Sequence, residues 1–413
     1  MPSRPSILVA VTFWLLLPFT APTGRASDAE PGAKTGSERY TVPEGDIGEL
    51  VEFMQRLSGY RPTTTEEDVE HRSKLQPALK QAAEKIIALE SDQASIAYDA
   101  AKFVLLADRV RSLAQTVRKE QEKTLAEVKA DVIQRIEKGQ GNIAATLAES
   151  AGKTCQSTGQ YDLAAKTYHS LGELLEKCDD PSVASKGRKM RADAERLLAI
   201  ANTVPKVPAA PEIPAGRKLV PLDIQMLGNY SVAGSLDSGQ FSGNGLAELQ
   251  KGQQTLGGVQ FRIGDKLVRM ENVEDRDGVL KLEGIPVNRR IARLFLLHAT
   301  GHGSPYMPDG TKIGRYAIRY KDGSEESIPI VYGEDVRDWW DFDEGKPVTR
   351  GRVVWTGRNL AADEYQVTIR LYLGVWTNPH PEKVVSAIDY ISGTDTKCRP
   401  FCVAMTVEVP SEE

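Results

Sequence analysis

Apolar residues recur every three to four positions in the first half of the chain and every second position in the last, so the sequence divides into a helical part and a β part. In DIGELVEFMQRL, Ile47, Leu50, Val51, Met54 and Leu57 share one helical face behind Asp46, a candidate N-cap. Thr63 and Glu66 stand at capping-box spacing ahead of a second helix that carries Val69, Leu75, Leu79, Ile86, Ile87 and Leu89. Further stripes run through Ile96, Ala100, Val104 and Leu105, then through Leu125, Val128, Val132 and Ile136, with Lys/Glu-rich faces opposite. The pattern predicts antiparallel or stacked helices over residues 43–201, joined by short connections.

Residues 202–218 hold the proline-rich run VPKVPAAPEIPAG and predict a semi-extended linker that keeps two folding units apart. Beyond it the period is two. In RYAIRYKDGSEESIPI, Tyr316, Ile318 and Tyr320 alternate with Ala317 and Arg319, and Asp322-Gly323 supplies hairpin-turn residues. VTIRLYLGVW and FCVAMTVEV share this β-branched character, while ARLFLLHA is continuously apolar, as a strand covered on both faces requires. Short strands separated by Gly, Pro and Asp predict a sandwich or barrel over residues 219–409. The expected fold class is therefore multidomain α plus β, with N-terminal all-α helical hairpins and a C-terminal all-β jelly-roll sandwich.

Two segments resemble known families. AATLAESAGKTCQSTGQYDLAAKTYHSLGELLEKCDDP resembles one tetratricopeptide-type helix pair, with Gly152 at a close helix approach, Gly159, Tyr161, Ala164 and Tyr168 around the turn and second helix, and Pro181 closing it. A single copy also fits a plain helical hairpin. The β half resembles the galactose-binding-like jelly-roll modules of secreted bacterial proteins. The matching segments are GGVQFRIGD, PVNRRIARLFLLHAT, GRYAIRYKDGSEESIPIVYG, DVRDWW, VVWTG, WTNPHPEKVVSAID and VAMTVE, with Gln260 standing where such modules usually carry proline. The resemblance implies recognition of carbohydrate or cell-envelope polymer by loops at one end of a sandwich, with a structural calcium ion in some members. No other cofactor is expected.

Composition narrows the setting. Residues 1–26 have the form of a signal peptide: Arg4, an apolar run from Ile7 to Phe19, then small residues Gly24 and Ala26 at a cleavage site. The run is shorter than the roughly 20 residues a spanning helix needs, so the expectation is an exported, periplasmic or extracellular protein without a transmembrane anchor. Residues 27–42 read as a disordered tail. A net charge of −5 with 26% charged residues gives no basic footprint for nucleic acid.

Sugar rings pack their C–H faces on aromatic planes and need polar groups around the hydroxyls. Candidate ligand residues are accordingly Asp338, Trp339, Trp340 and Asp341, with Asp343 nearby; Trp376, Asn378 and His380 in WTNPHP; and Tyr306 in GHGSPYMPDG. Adjacent tryptophans on a strand point to opposite faces, so one of the pair at most serves as a platform, and packing explains both equally well. His298 and His302 have a zinc-like spacing, but strand and glycine context remove the helical geometry it needs. No nucleophile elbow or phosphate loop is present, which argues against an enzyme, although a hydrolase with paired carboxylates is defined by separation in space rather than in sequence. Cys398 and Cys402 enclose Arg-Pro-Phe, and a tight turn there would allow a disulfide; Cys155 and Cys178, set far apart by the helical hairpin, are expected to be unpaired buried thiols. The leading expectation is a non-catalytic binding protein, with a scaffold that meets a protein partner through its helical half as the alternative.

Overall fold

A computed structural model describes residues 36–236, 241–272, 279–303, 307–393 and 395–410. Residues 1–26, expected to be a signal peptide, and Tyr306 lie outside the described residues. The chain forms two compact units. Of the described residues, one holds those up to Arg111 with Glu122–Lys153 and Ala165–Glu195, and the other holds Ser112–Gln121, Thr154–Ala164 and those from Arg196 onward.

The helices are α1 (Ile47–Gly59), α2 (Thr65–Leu89), α3 (Ile96–Arg111), α4 (Arg118–Glu137), α5 (Gly141–Ser157), α6 (Tyr161–Glu176) and α7 (Pro181–Ala201). Their stripes become a core in which Leu50, Phe53, Met54 and Leu57 of α1 meet Leu75, Leu79, Ala82 and Ile86 of α2 and Val104 of α3. Asp46 caps α1, its Oδ1 accepting the Glu49 N–H at 3.0 Å. The cap of α2 lies one residue later than the sequence suggests: Thr64 Oγ1 accepts the Glu67 N–H at 3.1 Å, and Glu67 reaches back to accept from the N–H and hydroxyl of Thr63. Three consecutive threonines leave the register of the box open until the helix fixes it. None of the helices is long and apolar enough to cross a membrane, among the described residues.

Gly152 and Tyr168 meet as the helix-pair resemblance implies. A Cβ at Gly152 would sit 2.5 Å from Tyr168 Cε1. Gly152→Ala is expected to lower the unfolding free energy by about 1–3 kcal/mol, the usual cost of overpacking a tight contact. Urea unfolding checks it, and an unchanged midpoint would show that the ring gives way freely.

The strands are β1 (Lys218–Leu222), β2 (Tyr230–Ser231), β3 (Gly252–Leu256), β4 (Val259–Ile263), β5 (Lys266–Arg269), β6 (Lys281–Arg290), β7 (Arg293–Gly301), β8 (Lys312–Tyr320), β9 (Glu325–Val331), β10 (Arg352–Gly357), β11 (Ile369–Thr377), β12 (Val384–Ser392) and β13 (Arg399–Val409), with a short helix α8 (Leu360–Glu364) before β11. They make a seven-stranded antiparallel sheet in the order β10-β11-β7-β13-β5-β2 with β1 also on β13, a four-stranded sheet β6-β12-β8-β9, and the hairpin β3-β4. Residues of both sheets share one apolar core. β7 lies inside the larger sheet, and every residue from Leu294 to Thr300 is buried, which is why its sequence does not alternate. The segment LEGIPVNRR just before it belongs to β6 at an edge of the other sheet, so one stretch of sequence feeds both layers.

The proline segment lies along the second unit. Glu212 O accepts from Arg293 at 2.8 Å, Pro208 O accepts from Arg352 at 3.3 Å, and Ile213 packs on the β core.

All four cysteines are thiols. The expected Cys398–Cys402 disulfide is not formed, because the backbone from Arg399 onward is β13 rather than a turn, and four residues of extended chain span about 13 Å, twice what a disulfide bridges. Burial pushes the Cys398 thiol up to about 11 and the Cys402 thiol up to about 12, so both stay protonated and unreactive. Cys155 is buried as expected, whereas Cys178 is only half-buried.

Candidate binding cleft

In the larger sheet β7 and β11 pair as far as His298 opposite Tyr372, and beyond that point the strands part. The segment Asp338–Asp341 fills the gap. Trp339 N–H donates to Thr300 O at 2.9 Å, Arg370 N–H donates to Trp339 O at 2.8 Å, and Asp341 N–H donates to Thr368 O at 2.9 Å. The tryptophan pair is thereby stitched to the end of a sheet by main-chain bonds.

Charges that sequence reading offers to a ligand hold this loop instead. Arg370 is fully buried, and its Nη1 and Nη2 meet Asp341 at 2.9 Å and Asp343 at 2.7 Å. Arg337 makes two 2.8 Å bonds to Asp309. Both oxygens of Asp338 accept main-chain N–H groups, from Trp340 at 2.9 Å and Gly303 at 2.7 Å. Gly345 donates to Asp341 at 2.7 Å with φ +80°, and a Cβ there would stand 2.0 Å from Gln156 O, so no other residue fits. Tyr161 OH donates to Glu344 O at 3.0 Å and closes the loop from that side.

Burial pushes the Asp341 carboxyl up to about 6; Arg370 pulls against that shift and Asp343 adds to it. A carboxyl whose folded pKa exceeds its unfolded value, about 3.9, binds its proton more readily in the native state. Its contribution to stability is therefore present below pH 4 and is lost as pH rises through 6. Between pH 7.5 and 5 the native chain should gain about 1 kcal/mol relative to Asp341→Asn, measured as the difference of two denaturant titrations. A difference independent of pH would refute this.

The loop forms one wall of a cavity of about 310 Å³. That wall is aromatic. Trp340 lies with ring centroids 5.6 Å from Phe241, 5.6 Å from Phe342 and 5.3 Å from Tyr365. Its Nε1 donates to Asn244 Oδ1 at 3.1 Å, Asn359 Nδ2 donates to the same oxygen at 3.1 Å, and Asn359 Oδ1 caps α8, the helix that carries Tyr365 at its end. Trp339 turns the other way and packs edge-on against Phe401 at 5.7 Å. Both tryptophans are buried, and both still line the cavity.

The remaining wall is basic. Arg269 on β5 and Arg399 on β13 line it beside His302. Arg269 Nε donates to Glu271 Oε1 at 3.0 Å, Arg399 Nε lies 3.1 Å from Glu271 Oε2, and Arg399 Nη1 lies 2.9 Å from His302 Nε2. Tyr230 OH donates to Glu271 at 2.7 Å, and Arg269 stacks 3.9 Å over the Tyr230 ring.

The second cluster predicted from sequence is a turn brace outside this cavity. Asn378 is buried, accepts from Tyr320 OH at 2.6 Å and donates to Ile291 O at 2.9 Å, so its amide holds the turn. Trp376 is half-buried against the core, and His380 stands between Glu326 at 3.5 Å and Glu382 at 3.7 Å. His298 and His302 are also separated in role. His298 is buried in the core 3.5 Å from Tyr316 OH, and desolvation holds its pKa down to about 3. No cluster of His, Cys, Asp or Glu able to hold a metal ion occurs among the described residues.

Asn244, Phe241, Tyr365, Arg269, Arg399 and His302 carry no local sequence signal for this site. Phe342 does, since it follows Trp340 by two positions in WWDF. No protein-family model, curated protein or solved structure matches the chain.

Proposed function

We propose that the chain is an exported, non-catalytic binding protein that takes carbohydrate or cell-envelope polymer into this cleft, on a sandwich of the galactose-binding-like jelly-roll kind. The observation that carries the reading is the aromatic wall, in which Phe342 and Tyr365 are 43% and 51% exposed beside Trp340 and across from polar side chains. Exposed neighbouring rings are costly in water and supply the flat apolar surface on which a sugar face packs. Among the described residues, Asp338 is the carboxylate that lines the cavity, and both its oxygens are engaged by main-chain amides, whereas glycosidases use a pair; this favours binding over hydrolysis.

A glycan array probed with the mature chain tests this. Retention of saccharide is expected, falling at least ten-fold in Tyr365→Ala, an exposed substitution of small cost to stability. An array that retains nothing, or retention indifferent to Tyr365, overturns it. A scaffold role for the helical part is the second reading, favoured by Leu89 and Ile96, which are 57% and 66% exposed at the two ends of the α2–α3 connection.

A further inference from the structure

Resting on the carbohydrate reading above, we infer that Asn359 is the positioning residue of the site: without touching the ligand it fixes Tyr365, and thereby the gap between that ring and Trp340. The two platform rings are anchored in different ways. Trp340 follows the main-chain bonds that tie residues 339–341 to Thr300, Thr368 and Arg370, so the sheet sets its place. Tyr365 closes the end of α8, a helix of five residues, and a helix that short has little stability of its own. Its position comes from tertiary bonds.

Asn359 supplies them. Its Oδ1 accepts the Ala362 N–H at 2.7 Å and caps the helix, while its Nδ2 donates to Asn244 Oδ1 and to Gly245 O, both at 3.1 Å. One amide thus uses its oxygen and both donors at once. The reversed amide would set an oxygen against two acceptors, so a single orientation is allowed. The segment it grips is itself fixed: Leu236 N–H donates to Asn244 O at 2.8 Å, Leu246 N–H donates to Val232 O at 2.7 Å, and a Cβ at Gly245 would stand 2.3 Å from Gly234 O. That segment also carries Phe241, whose ring centroid lies 6.1 Å from Tyr365 and 5.6 Å from Trp340. Contacts between rings are weakly directional and would let Tyr365 slide, whereas hydrogen bonds of set length and angle do not. Arg358 braces the same helix, its Nε donating to Asp363 Oδ1 at 2.6 Å, but both residues belong to one segment and move together. Its N–H donates to Glu248 Oε2 at 2.9 Å, which pins the start of the helix at one point and leaves its rotation to Asn359. Both asparagines are 1% exposed and stand behind the cavity wall, not in it. A sugar ring on this platform therefore meets a spacing set from behind.

The test labels the mature chain with 3-fluorotyrosine and follows the Tyr365 fluorine resonance, assigned by its absence from Tyr365→Ala, beside a dilution series on the glycan array. Asn359→Asp keeps the cap but sets an oxygen against the two acceptors. Asn359→Ser keeps a capping oxygen, removes the donors, and covers the case in which the aspartate variant fails to fold. In each, the Tyr365 resonance should shift and the apparent affinity should fall about ten-fold, as a site with a loosened supporting shell does. Ile318→Val, in the apolar core on β8, should lower stability and change neither reading. If the resonance stays in place in both variants, or moves while affinity holds, Asn359 has a structural role alone and the inference fails with the carbohydrate reading intact. If the native chain retains no saccharide, the carbohydrate reading falls, and the resonance alone decides whether Asn359 sets the ring.

Discussion

Arg370→Ala should lower the unfolding free energy by about 3–5 kcal/mol at pH 7, because it leaves Asp341 and Asp343 facing each other without their shared cation. A buried charge stripped of its partner costs more than the pair contributes, so the effect should exceed that of an ordinary cavity. It should also depend on pH. Acid neutralises the stranded Asp341 carboxyl, which burial already pushes up, and the deficit relative to the native chain should shrink between pH 7 and pH 5. Denaturant midpoints at the two pH values measure this. An equal loss at both would mean that lost packing of the guanidinium, not charge, dominates. Nearly the same sequence stretch that sequence reading offers as ligand groups thus acts first as the frame of the loop.

Trp340→Ala should cost about 3–5 kcal/mol, the range for a buried aromatic cut back to alanine, and should abolish saccharide retention. The two losses have different origins. Stability falls through the missing ring contacts and through Asn244 losing its indole donor, while binding falls through the missing platform. Trp340→Phe separates them, since it keeps a ring and removes the N–H. A stability loss of about 1–3 kcal/mol with retained binding is expected there. Loss of binding in Trp340→Phe at full stability would show that the indole N–H itself orders the site.

Much of the architecture was legible because periodicity reports burial directly. The α1 stripe behind Asp46, the β8–β9 hairpin about Gly323 and the doubly covered β7 all follow from spacing and turn residues. Less was legible where geometry depends on partners distant in sequence. Cys398 and Cys402 looked like the ends of a turn, but pairing with β7 and β5 draws their segment straight. Asp341 looked like a ligand group, and only the fold shows that Arg370 claims it. A third of the candidate site's lining, Asp338, Trp339, Trp340 and Phe342, was visible in RDWWDF. The facing residues, Arg269 and Arg399, come from strands far apart in sequence whose side chains meet only because β5 and β13 are neighbours in the sheet.

The insertion of residues 338–341 between β7 and β11 also bears on the thermodynamics of recognition. Both tryptophans hang from main-chain bonds continuous with the sheet, so their ordering is completed during folding, not during capture of a ligand. A preorganised wall of this kind loses little conformational entropy on association. On the proposed function, a small ligand would then be held by few contacts, the aromatic face being in place before it arrives.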